Sequence, residues 1–262
     1  MNILEQIVAD KYKEVALKKE ELSINDYEQM PLFASDRKSL KQSLLAQGST
    51  GIIAEFKRKS PSKGIINANA EVASVTTAYA QFAAGISVLT DEPYFGGANH
   101  DILIARSAVT IPLLRKDFMV DEYQLYEARA IGADVILLIA AALSKQEVKQ
   151  LAKKAKELQL EVLLEVHNEE ELDHACDDVT MIGVNNRNLK TFEVNINTSL
   201  DLIHKLPKEM PAVAESGISE INSIVTLRNA GFKGFLIGEN FMKHADPSVA
   251  FLQFANQLKQ AT

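Results

Sequence analysis

Glu55 and Lys57 stand two residues apart in the run Ile53-Ala54-Glu55-Phe56-Lys57-Arg58-Lys59-Ser60-Pro61-Ser62. The run opens apolar, ends in charge and breaks at Ser-Pro. Side chains two apart on a β-strand share a face. A carboxylate and an ammonium therefore leave one strand end together, with the Ser60 hydroxyl in the loop beyond. Such a group could give and take protons. A lone Glu-x-Lys at a strand end is more often a surface ion pair, so the reading depends on what else gathers beside it.

Other short apolar runs close on the same kinds of residue. Asp91 precedes Tyr94-Phe95-Gly96-Gly97, Lys116 precedes Asp117-Phe118, and Glu165, then Asn185 with Arg187, end two further runs. Glu215-Ser216-Gly217 and Gly238-Glu239 end the last two. Parity orders them. Lys116 shares a face with Leu114, Glu165 with Leu163 and Glu215 with Val213, whereas Arg115 faces the other way. Two lysines and two or three carboxylates would then meet on one rim. The turns at Ser216-Gly217 and Gly238-Glu239 offer backbone N–H groups to a phosphate with little side chain in the way. Glu239 suits that role only if its carboxylate points aside. Each feature also has an ordinary reading: Lys116 as a solvated charge, Glu165 beside a helix dipole, the glycines and Asn185-Asn186-Arg187 as turn residues, Phe95 and Phe118 as core. His167 and His174 have no carboxylate set around them that would make a metal site, and Cys176 reads as helix packing.

The elements that must position these groups are eight strand-like runs: Ile52–Phe56, Ser87–Thr90, Pro112–Lys116, Val135–Ile139, Glu161–Val166, Met181–Asn185, Ala212–Glu215 and Gly234–Ile237. Amphipathic helices are read over 71–84, 122–131, 144–159 and 219–230. Strands alternating with helices imply a parallel sheet, either a (β/α)8 barrel or an open doubly wound sheet. Residues 2–21, with Ile3, Ile7, Val8 and Val15, and a second helix after Ser35, with Leu40, Leu44 and Leu45, precede the first strand. Residues 1–48 are thus a helical extension within one domain covering 1–262.

Composition narrows the class. The 262 residues are 47% hydrophobic with a net charge of -7, which argues against general nucleic-acid binding but leaves room for an anionic substrate in a local field. One cysteine cannot make an internal disulfide, which suits a reducing, cytoplasmic setting. The apolar run Val135–Leu143 is far short of the roughly 20 residues of a membrane span.

The motif set resembles the indole-3-glycerol phosphate synthase family. Residues 53–62 resemble its opening signature, and the likeness continues through 87–97, 113–118, 164–166, 182–189, 214–218 and 236–239. The resemblance implies a (β/α)8 barrel with an N-terminal helical extension. It implies conversion of 1-(o-carboxyphenylamino)-1-deoxyribulose 5-phosphate to indole-3-glycerol phosphate, carbon dioxide and water in tryptophan biosynthesis. No cofactor and no metal are implied, and the only expected partner is the small sugar phosphate; a monomer or weak oligomer is expected. By resemblance, Lys116 is the acid for ring closure and Lys57 binds substrate oxygens and serves in dehydration. Glu165 is the base or charge stabiliser, Glu55 holds Lys57, and Asn185 positions a substrate hydroxyl or Glu55. Arg187 and Glu215 form a supporting pair. Ser60, Ser216, Gly217, Gly238 and Glu239 hold the phosphate, and Phe95, Phe118 and Leu189 wall the aromatic ring. The loop Ser60–Gly64 is a candidate lid. Rival readings are a phosphoribosylanthranilate isomerase, which expects a thiol where Lys57 stands, a Schiff-base aldolase, and a silent sugar-phosphate-binding barrel.

Overall fold

In the computed structural model, which describes residues 2–189 and 191–261, eight parallel strands close into a barrel. They are β1 (Ile52–Phe56), β2 (Gly85–Leu89), β3 (Leu113–Lys116), β4 (Val135–Ile139), β5 (Glu161–Val166), β6 (Met181–Asn185), β7 (Ala212–Glu215) and β8 (Gly234–Ile237). β8 pairs back onto β1 through Ile52–Phe235, Ile53–Leu236 and Ala54–Ile237. The fold class is the one expected, and the open-sheet alternative is excluded by that closure.

Strand alternation sorts the apolar residues into two cores. Ile53, Leu114, Leu137, Leu163, Met181, Val213 and Leu236 fill the barrel, whereas Ile52, Ala54, Phe56, Val162 and Leu164 pack outward under the helices. The rhythm of two therefore carries Glu55, Lys116, Glu165 and Glu215 inward at the C-terminal strand ends. Several helices are capped by their own side chains. Asn2 and Glu5 form a reciprocal capping box at the start of α1 (Ile3–Glu21), and Lys18 and Lys19 occupy its last, electronegative turn.

The extension continues through α2 (Ile24–Glu28) to α3 (Leu40–Leu45), whose Leu40 and Leu44 join the barrel core. They plug the end opposite the strand exits. Glycine makes that plug fit: a Cβ at Gly85 would lie 2.6 Å from Leu40 Cδ1, and one at Gly234 3.3 Å from Leu44 Cδ1. No helix among the described residues is long and apolar enough to cross a membrane.

Several elements differ from the sequence reading. The helix expected over 71–84 spans Val72–Tyr79, because Ala84 N already donates to Ile52 O and so belongs to the sheet. The loop after β1 contains a small antiparallel hairpin, Lys59–Ser60 with Gly64–Ile65. After β5 the chain makes only a 3-10 turn, Glu170–His174, and Cys176 follows it in a loop rather than within a helix.

Candidate active site

A cavity of about 720 Å³ opens at the C-terminal end of the barrel. Asp91 does not line it, but every residue given a site role by the family resemblance does: Glu55, Lys57, Ser60, Phe95, Lys116 and Phe118, then Glu165, Asn185, Arg187 and Leu189. Glu215, Ser216, Gly217, Gly238 and Glu239 complete that set.

Lys116 is the centre of charge. Its Nζ lies 3.2 Å from Glu165 Oε2 and 3.9 Å from Glu215 Oε2. Burial alone would lower its pKa, but Glu165, Glu215 and Glu55 together hold it well above the usual lysine range. Two strands away, at the end of β1, Lys57 Nζ sits 2.5 Å from Glu55 Oε2. Glu165 is gripped at both oxygens, with Asn185 Nδ2 donating to Oε1 at 3.0 Å and Lys116 donating to Oε2. Burial opposes its ionisation, and Lys116, His167 and Asn185 overcome burial to hold it below the carboxylate range. Glu215 goes the other way. Burial first, and then the charge of Glu165, push its pKa up, more than Lys116 restores. Its Oε1 is buried without a hydrogen-bond partner among the described residues. Two carboxyl groups around one ammonium are thus pushed apart in proton affinity, so one stays ionised while the other is biased toward its protonated form.

Two glycines make room for these carboxylates. A Cβ at Gly183 on β6 would come within 2.1 Å of Glu215 Oε1, and one at Gly238 within 2.3 Å of Glu55 Oε2. Both clearances occur where a neighbouring strand turns its acid inward.

The Ser216-Gly217 and Gly238-Glu239 turns and the aromatic pair Phe95 and Phe118 line the same cavity. Ser216 and Gly217 adopt φ of 66° and 74°, a left-handed pair that makes a tight turn after β7. Glycine is required at 217, since a Cβ there would meet Val194 Cγ1 at 2.3 Å. Gly238 enters the short helix Glu239–Met242, whose first N–H groups lack intrahelical partners. Phe95 and Phe118 stand with ring centroids 6.0 Å apart, inclined at 39°.

Two expected pairings are corrected. Asn185 holds Glu165, not Glu55, because β6 adjoins β5 in the barrel and Glu55 lies on β1. Arg187 does not pair with Glu215. It reaches instead toward Glu239, 3.9 Å away, and donates to Phe192 O, while Glu215 turns in to Lys116. The Glu239 carboxylate also faces Lys63 at 3.6 Å. It is balanced by two cations, which is how an acid can stand at this turn.

Sequence reasoning missed several contributors. Ile3, Leu4 and Ile7 of α1 line the cavity. Lys11 of α1 is buried and contacts Asp91 and Asp117, each at 3.0 Å, and Glu14 at 2.7 Å. His167 faces Glu165 from just past β5. Lys11 had a usable signal, since it lies four residues from both Ile7 and Val15 on the buried side of the helix.

The comparisons agree with this geometry. The family model for indole-3-glycerol phosphate synthase matches residues 4–254. The chain belongs to the indole-3-glycerol phosphate synthase family. It is 46% identical over 259 residues to a protein of that name from Bacteroides thetaiotaomicron, covering 98% of this chain and 99% of the relative. It is 43% identical to another from Acinetobacter baumannii, covering 97% and 96%. Among solved structures, a mutant tryptophan synthase alpha-subunit from Pyrococcus furiosus superposes with a TM-score of 0.61 at 16% identity, covering 82% of this chain and 99% of that one. That likeness speaks to the barrel alone.

Proposed function

We propose that this protein closes, decarboxylates and dehydrates 1-(o-carboxyphenylamino)-1-deoxyribulose 5-phosphate, giving indole-3-glycerol phosphate, carbon dioxide and water in tryptophan biosynthesis. The observation that carries the reading is Lys116, charged and set among Glu165, Glu215 and Glu55.

Ring closure begins when the ring carbon bearing the carboxylate attacks the ribulose carbonyl. Negative charge then develops on the carbonyl oxygen, and Lys116 supplies a proton there. Its raised pKa means that it enters the reaction in the acid form, and the surrounding carboxylates favour its reprotonation afterwards. Attack leaves that carbon tetrahedral and the nitrogen an iminium; as carbon dioxide leaves, the electron pair of the broken C–C bond returns to the ring, restoring its aromaticity and neutralising the nitrogen. Dehydration then expels the hydroxyl with a proton from Lys57, oriented by Glu55, and Glu165 takes the proton that must leave carbon or nitrogen. Glu215 contacts the substrate as a carboxyl group. The phosphate lies against Ser60, the Ser216-Gly217 turn and the start of the Glu239 helix, with Arg187 facing Glu239. Phe95, Phe118 and Leu189 enclose the aromatic ring. The hairpin carrying Ser60 and Gly64 closes over the occupied cavity.

Purified protein mixed with the substrate, without added metal, should develop indole fluorescence. A folded protein that binds the substrate and gives no signal would instead be a silent binding barrel. Gly183→Ala offers a second test, because its methyl group must displace the Glu215 carboxylate from its place beside Lys116. An ångström-scale displacement costs on the order of 10²-fold in kcat. Parental kcat in a variant whose crystal structure shows Glu215 moved would remove that carboxyl from the mechanism.

A further inference from the structure

Glu165 is approached from outside the cavity by an imidazole that does not line it. His167 follows β5 directly, and its Nε2 lies 3.3 Å from Glu165 Oε1. On the other side of the ring, Nδ1 faces Glu171 Oε2 at 3.1 Å. Glu171 is itself fixed: its Oε2 also accepts the backbone N–H of His167 at 2.8 Å, and its Oε1 accepts Asn168 Nδ2 at 2.8 Å. The 3-10 turn after β5, which replaces a full helix, is what folds Glu171 back onto the strand exit. We propose that His167, braced by Glu171, is a positioning residue that holds the Glu165 carboxylate ionised and aimed into the cavity. This rests on Glu165 acting as the base or charge stabiliser proposed above.

The hydrogen bond at Nδ1 and the charge facing Nε2 together carry the argument. An ionised carboxylate only accepts. With Glu171 at Nδ1 and Glu165 at Nε2, the ring satisfies both neighbours only when both nitrogens carry hydrogen, as in the imidazolium. A neutral ring protonated at Nδ1 would set the Nε2 lone pair against Glu165 Oε1. Nε2 is buried, and among the described residues it makes no hydrogen bond of good geometry; its approach to Glu165 is a charge contact, which an imidazolium makes attractive and a bare lone pair makes repulsive. Burial lowers the pKa of the ring, and the two carboxylates outweigh burial and raise it to about 10.

The other charged groups nearby address Glu165 rather than the ring. Lys116 comes from β3 to Oε2, and Glu215 stands on β7 beyond Lys116. His174, on the same turn as Glu171, faces the carbonyl oxygens of Glu171 and Leu143 at 3.0 and 3.1 Å. Asn185 shares Oε1 with His167, so the uncharged donor fixes direction while the imidazolium adds charge at the same oxygen.

The test is the pH dependence of kcat for His167→Ala, His167→Gln, Glu171→Gln and Glu165→Gln. His167→Ala should lose about 10- to 100-fold in kcat, the cost of a loosened catalytic group, with KM changed by less than about threefold. Its acid limb should move to higher pH, because Glu165 has lost a cation that favours its charged form. His167→Gln, which keeps a donor, should recover part of kcat but not the position of the limb. Glu171→Gln should move the limb in the same direction by less.

Parental kcat and an unmoved limb in His167→Ala would overturn the proposal, and so would a fall in kcat with the limb in place. Glu165→Gln separates the two readings. If it stays active, the role of Glu165 fails. If it is inactive while His167→Ala is unaffected, only the positioning role fails. Nitrogen-15 NMR of the unmodified protein avoids any dependence on variant folding. At about pH 8 the His167 ring should show two protonated nitrogens, and a neutral tautomer there would refute the assignment.

Discussion

Lys116→Ala should lower kcat by at least the roughly 10²–10⁴-fold that a general acid contributes. The loss has two parts. The developing oxyanion loses its proton donor, and Glu165 loses the charge that keeps it ionised. Without the ammonium, Glu165, Glu215 and Glu55 share one low-dielectric cavity, and carboxylates so crowded cannot all remain charged. The proton they take up disarms the base as well. Lys116→Arg should not rescue the rate, because a guanidinium is a far weaker acid and its planar fork does not fit a place built around a point charge. Stopped-flow indole fluorescence at saturating substrate reads the effect directly. A near-parental kcat in Lys116→Ala would take this lysine out of the chemistry.

The largest loss of stability is expected at a residue outside the barrel. Lys11→Met keeps the length and apolar stem of the side chain but strips the cation from between Asp91 and Asp117, whose side chains are 2% and 0% exposed. Breaking a buried ion pair from one side costs about 3–5 kcal/mol, because the other charge is left uncompensated. At about 2–4 °C per kcal/mol for a chain approaching this size, Tm should fall by on the order of 10 °C. Lys11→Met combined with Asp91→Asn should recover part of the loss, since Asp117 retains Thr90 Oγ1 at 2.6 Å and Arg115 at 3.3 Å.

The pH dependence has a defined sign. Burial would raise Asp117, and Lys11, Arg115 and Thr90 together hold it below its usual value. Its contribution is therefore present above the ordinary aspartate pKa of about 3.9 and is lost as pH falls through the lowered one. In the variant that contribution shrinks at neutral pH. Thermal melts of the two variants beside the parent decide the matter. An unchanged Tm would mean that Lys11 does not fasten α1 to the barrel.

The inward acids and lysines were legible because a strand repeats every two residues without slack. Once Leu114, Leu163 and Val213 are assigned inward, Lys116, Glu165 and Glu215 must follow them. What the sequence left open was which neighbour each group would meet. Asn185 could be placed on the rim, but its choice of Glu165 depends on β5 and β6 being adjacent. Arg187 lies beyond the strand in a loop, where parity no longer applies, and its partner was misjudged. Lys11 was hidden for another reason. A charge on an apolar helix face reads as an interruption until its buried counter-charges, distant in the chain, are known.

The stretch before β1 touches both ends of the molecule. Leu40 and Leu44 stopper the floor, while Ile3, Leu4 and Ile7 form part of the mouth. The lysines and carboxylates proposed to handle protons sit on the strands or directly at their ends, and the strand register is fixed all the way round. The three mouth residues hang from a helix outside that register. Reshaping them would retune which aromatic rings the cavity admits while leaving the proton-handling groups where they stand, so the doorway of this enzyme can be altered independently of its workbench.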